Sequence, residues 1–219
     1  MLQHLQTLFQ SLDFASMGGL LLRLVSVFLC LTVHEICHGL AALALGDPTA
    51  RSMHRLSLNP LRHIDWLGLA MMVICGFGWA KPVPVDPRYF KKPKKGMALT
   101  ALAGPVSNLM LAALLMAGAS AVYYHAAYTP TMWEGVFSFL LDTAILSIGL
   151  GLFNLIPVPP LDGAKVLGAL LPDRTYFTLM RYERYGMLVL LLLSFTNIGG
   201  GLLSRGIAAV YNGLANLIF

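Results

Sequence analysis

Three residues in one short segment have the types and the spacing of a metal site. His34 and His38 are four residues apart. A helix therefore places both imidazoles on one face, where they can bind the same zinc ion. Glu35 lies between them, at the position of the general base in metal-dependent peptidases with this pattern. The alternative is a pair of histidines that form hydrogen bonds between packed helices.

The segment that contains these residues is strongly apolar. Residues 17–45 form a run long enough to span a bilayer with some tilt, and Gly46, Asp47 and Pro48 end it. Ionisable side chains at membrane depth are costly, so a group of three favours a functional role over packing. The sequence therefore predicts a metal site below the membrane surface.

The composition indicates a membrane protein. The chain has 219 residues, of which 57% are hydrophobic and 11% are charged, whereas soluble domains have about 25% charged residues. We predict a single all-α, polytopic domain over residues 1–219, with four to six transmembrane helices. The predicted spans are residues 17–45, 97–124, 133–156 and 185–203. The net charge of +5 comes without any nucleic-acid motif, so we expect no nucleic acid partner.

The connecting segments carry weaker patterns. Residues 51–58 alternate between polar and apolar, which predicts a short β-strand or β-hairpin. Residues 66–80 are apolar but short for a crossing, so we expect a re-entrant segment. The C-terminal apolar segment 207–219 is interfacial or a partial crossing. Segments 47–95 and 163–184 hold 13 of the 15 basic residues, which places both of them on the cytoplasmic side.

A third ligand is needed because a catalytic zinc usually takes three protein ligands and keeps one position for water. Asp162 lies in the segment from Asn154 to Gly163, which is rich in proline. The prolines break the preceding helix, so Asp162 can turn towards the histidines at the cytoplasmic end of the membrane. The alternative is a proline-rich loop in which Asp162 is a turn residue.

The motifs together resemble the site-2 protease family of intramembrane zinc metalloproteases. The chain is most similar to its compact prokaryotic branch, which lacks PDZ and nucleotide-sensing domains. The matching segments follow the family's order and are residues 34–39, 46–48, 58–65, 78–85, 103–108 and 154–163.

The resemblance implies one Zn²⁺ bound by His34, His38 and Asp162, with Glu35 as the base and a zinc-activated water as the nucleophile. It also implies a membrane-protein substrate cut in or near a transmembrane segment. The expected location is the lipid bilayer of a prokaryotic inner or plasma membrane, with the active site towards the cytoplasm.

Two asparagines are further candidates. Asn154 and Asn108 could each hydrogen bond to the substrate or to its oxyanion, and the alternative for both is a bond between helices. Two other functions remain open at this point, a membrane metal transporter and a catalytically inactive membrane scaffold. A transporter favours polar groups distributed along a path through the bilayer, whereas the candidate ligands here cluster at one depth.

Overall fold

The computed structural model describes residues 17–75, 79–125, 130–181, 186 and 200–219. Within these residues the chain is mostly helical. The helices are α1 (Met17–Ala44), α2 (Thr49–Ser52), α3 (Trp66–Cys75), α4 (Pro93–His125), α5 (Pro130–Asn154), α6 (Asp162–Gly168), α7 (Asp173–Arg181) and α8 (Gly200–Ile218). Two 3-10 turns, Pro60–His63 and Pro87–Tyr89, lie in the connections.

Three of the described helices are long and apolar enough to cross a membrane: Leu21–Ala44, Pro93–Tyr124 and Trp133–Asn154. They coincide with three of the predicted spans, although α4 begins four residues earlier than predicted, at Pro93. Proline is favoured at the first position of a helix because its missing N–H needs no partner there. Most of the predicted span 185–203 lies outside the described residues. The chain is therefore a mostly helical membrane protein.

Polar and apolar side chains both contribute to the packing of the long helices. Ser26 of α1 and Thr143 of α5 share a hydrogen bond of 2.7 Å between their hydroxyl oxygens. Helix α8 packs on α4 and α5 through Ile207, which joins a buried apolar cluster with Met116 and Ile148. Small residues allow close approach of helices in lipid, where packing and hydrogen bonds drive their association.

The end of α1 is set by a glycine. Gly46 has a φ of +106°, a left-handed conformation that glycine adopts without strain. Its N–H donates to the Leu43 carbonyl, and the Asp47 N–H donates to the Ala42 carbonyl. These two bonds form the Schellman motif that ends many helices. The helix that carries the histidines therefore stops about 9 Å beyond His38, at a rise of about 1.5 Å per residue.

The predicted strand or hairpin over residues 51–58 is wrong. The chain forms the short helix α2 there, followed by irregular structure. Asp47 accepts hydrogen bonds from the Thr49 N–H and hydroxyl, which starts the helical turn. The described residues contain no β-strand, and their one isolated β-bridge joins Ile64 to Ala80. A local side-chain bond thus outweighed the alternating pattern, since Asp side chains readily hydrogen bond to nearby backbone.

The two short apolar segments, predicted for residues 66–80 and 207–219, form helices of different length. Helix α3 has 10 residues, which gives about 15 Å, half of a hydrocarbon core of about 30 Å. Its depth in the membrane stays a prediction. The C-terminal apolar segment, predicted for 207–219, belongs to the longer helix α8, which has 19 residues.

Candidate metal centre

Two helices and a loop bring the three predicted ligands together. The Nε2 atoms of His34 and His38 each lie 3.1 Å from Oδ2 of Asp162, and they lie 2.9 Å from each other. All three side chains are buried. His34 and Asp162 are 128 positions apart in the chain, so only the tertiary structure creates this cluster.

Asp162 reaches the cluster because the chain turns back after α5. The segment between α5 and α6 contains three prolines, and Asp162 is the first residue of α6. A side chain at the next residue, Gly163, would clash with the carbonyls of Leu155 and Ile156. Glycine is therefore required for this close fold of the loop over the end of α5.

Asp162 presents its carboxylate to both imidazoles and to a lysine. Its Oδ2 faces the Nε2 atoms of His34 and His38. Lys165, one turn further along α6, places its Nζ 3.8 Å from the other carboxylate oxygen, Oδ1. An ionised carboxylate is the form that binds a cation.

Each imidazole makes a second contact through its Nδ1 atom. His38 Nδ1 lies 2.7 Å from the main-chain oxygen of Thr100 on α4. A carbonyl only accepts, so this nitrogen carries the proton and Nε2 of neutral His38 offers a lone pair. His34 Nδ1 lies 3.0 Å from the side-chain amide nitrogen of Asn108.

Helix α4 comes very close to the imidazoles at Gly104. A Cβ atom at this position would lie 2.5 Å from His38 Nε2 and 2.7 Å from His34 Cε1. Only glycine leaves room for both rings here. Gly104 lies in the family-matching segment 103–108, whereas its contact with the ligand rings is visible only in the structure.

Glu35 faces a non-helical segment rather than the helices. Its Oε2 accepts a hydrogen bond of 2.8 Å from the N–H of Val83. Lys81, in the same segment, donates its N–H to the His63 carbonyl at 2.9 Å. The neighbours Pro82 and Pro84 have no N–H, so Val83 is the one donor between them. The buried carboxylate of Glu35 is thus held at the edge of the metal cluster.

The two predicted asparagines lie in different surroundings. Asn154, the last residue of α5, donates its amide to the Leu150 carbonyl at 3.0 Å and is half-buried. Asn108 is fully buried behind His34. The sequence offered no signal for the main-chain contact of Thr100 with His38, because any residue type can supply a carbonyl.

The donor set fits a zinc ion. Two imidazole nitrogens and a carboxylate oxygen form a set of three ligand atoms within 4.8 Å of one another. Their separations of 2.9–3.1 Å are close to the roughly 3.3 Å between ligand atoms on a tetrahedral zinc with bonds of about 2.0–2.1 Å. Nitrogen and carboxylate donors of this kind are typical of catalytic zinc sites, which leave the fourth position open.

Comparison with known proteins agrees with this geometry. The model of peptidase family M50 matches residues 22–196, which includes every residue of the cluster. The chain belongs to peptidase family M50. This confirms the site-2 protease resemblance and identifies the chain as a metalloendopeptidase with zinc as its expected cofactor.

Two relatives illustrate the similarity. The chain is 38% identical over 180 residues to "Putative zinc metalloprotease YwhC" of Bacillus subtilis (strain 168), with 80% of each chain covered. It is 33% identical over 175 residues to "Putative zinc metalloprotease Rip2" of Mycobacterium tuberculosis (strain ATCC 25618 / H37Rv), with 76% of this chain and 63% of that protein covered. No solved structure matches the chain.

Proposed function

We propose that this M50 peptidase is an intramembrane protease that hydrolyses peptide bonds in or near transmembrane segments of membrane proteins. In this proposal His34, His38 and Asp162 hold one zinc ion and Glu35 is the general base. The observation that carries it is the meeting of both Nε2 atoms with Asp162 Oδ2 at 3.1 Å, inside a bundle of apolar helices.

The depth of the site supports cleavage within the membrane. His38 lies about 9 Å before the end of α1 at Ala44, so both histidines lie within the predicted span 17–45 rather than in a loop. The basic segments 47–95 and 163–184 follow α1 and α5, and this distribution of positive charge supports a cytoplasmic position for this end. We therefore place the active site towards the cytoplasmic face of a prokaryotic inner or plasma membrane.

The proposed reaction is hydrolysis of an amide by a water molecule. Bound zinc supplies a Lewis acid that polarises the peptide carbonyl and makes a water more acidic. Glu35 takes a proton from the attacking water and returns it to the amine that leaves. The Val83 N–H orients the Glu35 carboxylate through its bond to Oε2. Asn154, at the end of α5, is a candidate donor to the substrate carbonyl or to its backbone.

The substrate must locally leave its helix, because backbone hydrogen bonds shield a peptide bond inside a helix. The segment around Val83 lies beside Glu35 and is not helical. We propose that an unwound stretch of substrate lies along this segment, where main-chain carbonyls can accept hydrogen bonds from the substrate N–H groups.

The decisive experiment uses the Glu35→Gln variant of the full chain in detergent or lipid nanodiscs. We expect it to retain one zinc per chain and to lose cleavage of a single-span model substrate, because an amide cannot accept the proton. Asp162→Ala should lose zinc itself. The uncleaved substrate should remain bound to the Glu35→Gln protein, where crosslinking and mass spectrometry can identify it.

Glu134→Gln is the matched control, because it makes the same change at an exposed position of α5. It should cleave like the wild type. A Glu35→Gln protein that still cuts the substrate refutes the base assignment. If the wild-type protein binds zinc and carries it across the membrane of proteoliposomes, but cleaves no substrate, the transporter alternative is favoured.

A further inference from the structure

Asn108 is a buried polar residue behind the metal cluster. Its side chain is fully buried, and its amide nitrogen lies 3.0 Å from His34 Nδ1. Its amide oxygen has no hydrogen-bond partner among the described residues. A buried polar atom without a partner is rare and costs free energy, so it calls for an explanation.

The two histidines differ in where their protons lie. His38 donates from Nδ1 to the Thr100 carbonyl, which leaves its Nε2 as an acceptor. With an amide nitrogen at its Nδ1, neutral His34 must carry its proton on Nε2. That proton points at His38 Nε2 and Asp162 Oδ2, which both accept. With this orientation of the Asn108 amide, His34 Nε2 carries a proton and cannot serve as a ligand.

A cation at the cluster requires the opposite tautomer. Histidine ligands nearly always donate their other ring N–H to a carbonyl or carboxylate, which fixes the ring and its tautomer. A half-turn of the Asn108 amide exchanges its nitrogen and oxygen and gives His34 Nδ1–H an acceptor. The amide oxygen, unpaired in the present orientation, then receives a hydrogen bond.

We propose that Asn108 is the positioning residue of His34: its amide oxygen accepts a hydrogen bond from His34 Nδ1–H, which leaves His34 Nε2 free to bind the cation. This inference rests on the proposed function, since it assumes that His34 is a ligand. It assigns Asn108 to the metal site rather than to the substrate, because the buried side chain lies behind the imidazole.

The test compares zinc affinities of the purified full chain by competition with a chromophoric chelator. Asn108→Leu keeps the approximate shape and removes the acceptor, and it should weaken zinc binding by about 10- to 100-fold. Asn108→Asp keeps an acceptor at His34 and should bind zinc as tightly as the wild type. Nitrogen-15 NMR of labelled histidine should show His34 protonated at Nδ1 in the zinc-loaded wild type and in Asn108→Asp.

Ser147→Ala is the matched control. The Ser147 hydroxyl is fully buried and donates to the main-chain oxygen of Asn108 at 2.8 Å. Its loss removes an equally buried bond to the same residue without touching His34, so zinc affinity should not change. If the leucine variant does not fold, Asn108→Ala gives the same contrast without adding a branched side chain.

The outcomes separate this inference from the proposed function. A wild type that binds no zinc refutes the proposed function. A wild type that binds one zinc, with Asn108→Leu binding it equally well, overturns only the role of Asn108. The role of Asn108 is also overturned if Asn108→Asp or Ser147→Ala lowers the zinc affinity as much as Asn108→Leu does. The loss of affinity would then come from altered packing.

Discussion

Replacement of Gly104 by alanine tests how closely helix packing controls the metal cluster. The added Cβ would lie 2.5 Å from His38 Nε2, about 0.9 Å short of the 3.4 Å at which ordinary van der Waals contact begins. The backbone of a packed helix moves less easily than a side chain, so we expect the imidazoles to be displaced. Metal–ligand distances tolerate only about 0.2 Å of change.

The expected effect is therefore on the site rather than on folding. A displacement of about 1 Å in a catalytic group can lower activity by about 100-fold, and zinc affinity should fall with it. Alanine is favoured over glycine by about 1 kcal/mol in a helix interior, so the intrinsic helix propensity of α4 increases. We expect Gly104→Ala to accumulate as a folded protein with reduced zinc content and reduced kcat/KM.

Gly118→Ala on the same helix is the control, because its Cβ would meet the nearest atom, Leu140 Cδ1, at an ordinary 3.7 Å. Zinc per chain is measured by atomic absorption, and kcat/KM is measured on a model single-span substrate. Gly118→Ala should match the wild type in both. If Gly104→Ala also matches it, the imidazoles have room to move aside and the packing argument is refuted.

Two further predictions concern contacts around the site. Asp47→Ala leaves the N–H groups of Thr49 and Asp86 without their carboxylate acceptor. The free energy of unfolding should therefore fall by about 1–3 kcal/mol. Thermal unfolding in detergent measures this change, and an unchanged midpoint temperature contradicts the prediction. Val83→Pro removes the N–H that orients Glu35 and should lower kcat by about 10- to 150-fold, since hydrogen bonds to charged groups contribute about 1.5–3 kcal/mol and about 1.4 kcal/mol corresponds to a factor of ten. Val83→Ala keeps the N–H, so an equal loss in both variants would show that only the valine side chain matters.

Several parts of the fold follow from local sequence patterns. The apolar runs predict α1, α4 and α5, because length and hydropathy alone determine whether a helix can cross a bilayer. The spacing of His34 and His38 places both rings on one helical face. Gly46 marks the end of α1 because the left-handed conformation there favours glycine.

The alternating pattern of residues 51–58 led to a wrong prediction, although it is a local signal. Alternation indicates a strand only when a partner strand and a buried face are available. Here the Asp47 carboxylate binds the Thr49 N–H and hydroxyl, and the chain takes a helical turn instead. The competing interaction involves one side chain just outside the pattern, so periodicity could not reveal it.

The sequence by itself determined which residue types could bind zinc and on which helix two of them lie. The family motifs also pointed to Asp162 as the third donor, and the structure brings it within 3.1 Å of both imidazoles. Only the tertiary structure decided what surrounds these ligands: Gly104 and Asn108 pack against the imidazoles from α4, and the Val83 N–H holds Glu35. Such contacts join residues far apart in the chain, and they depend on the relative position of whole helices, which no local pattern of residues encodes.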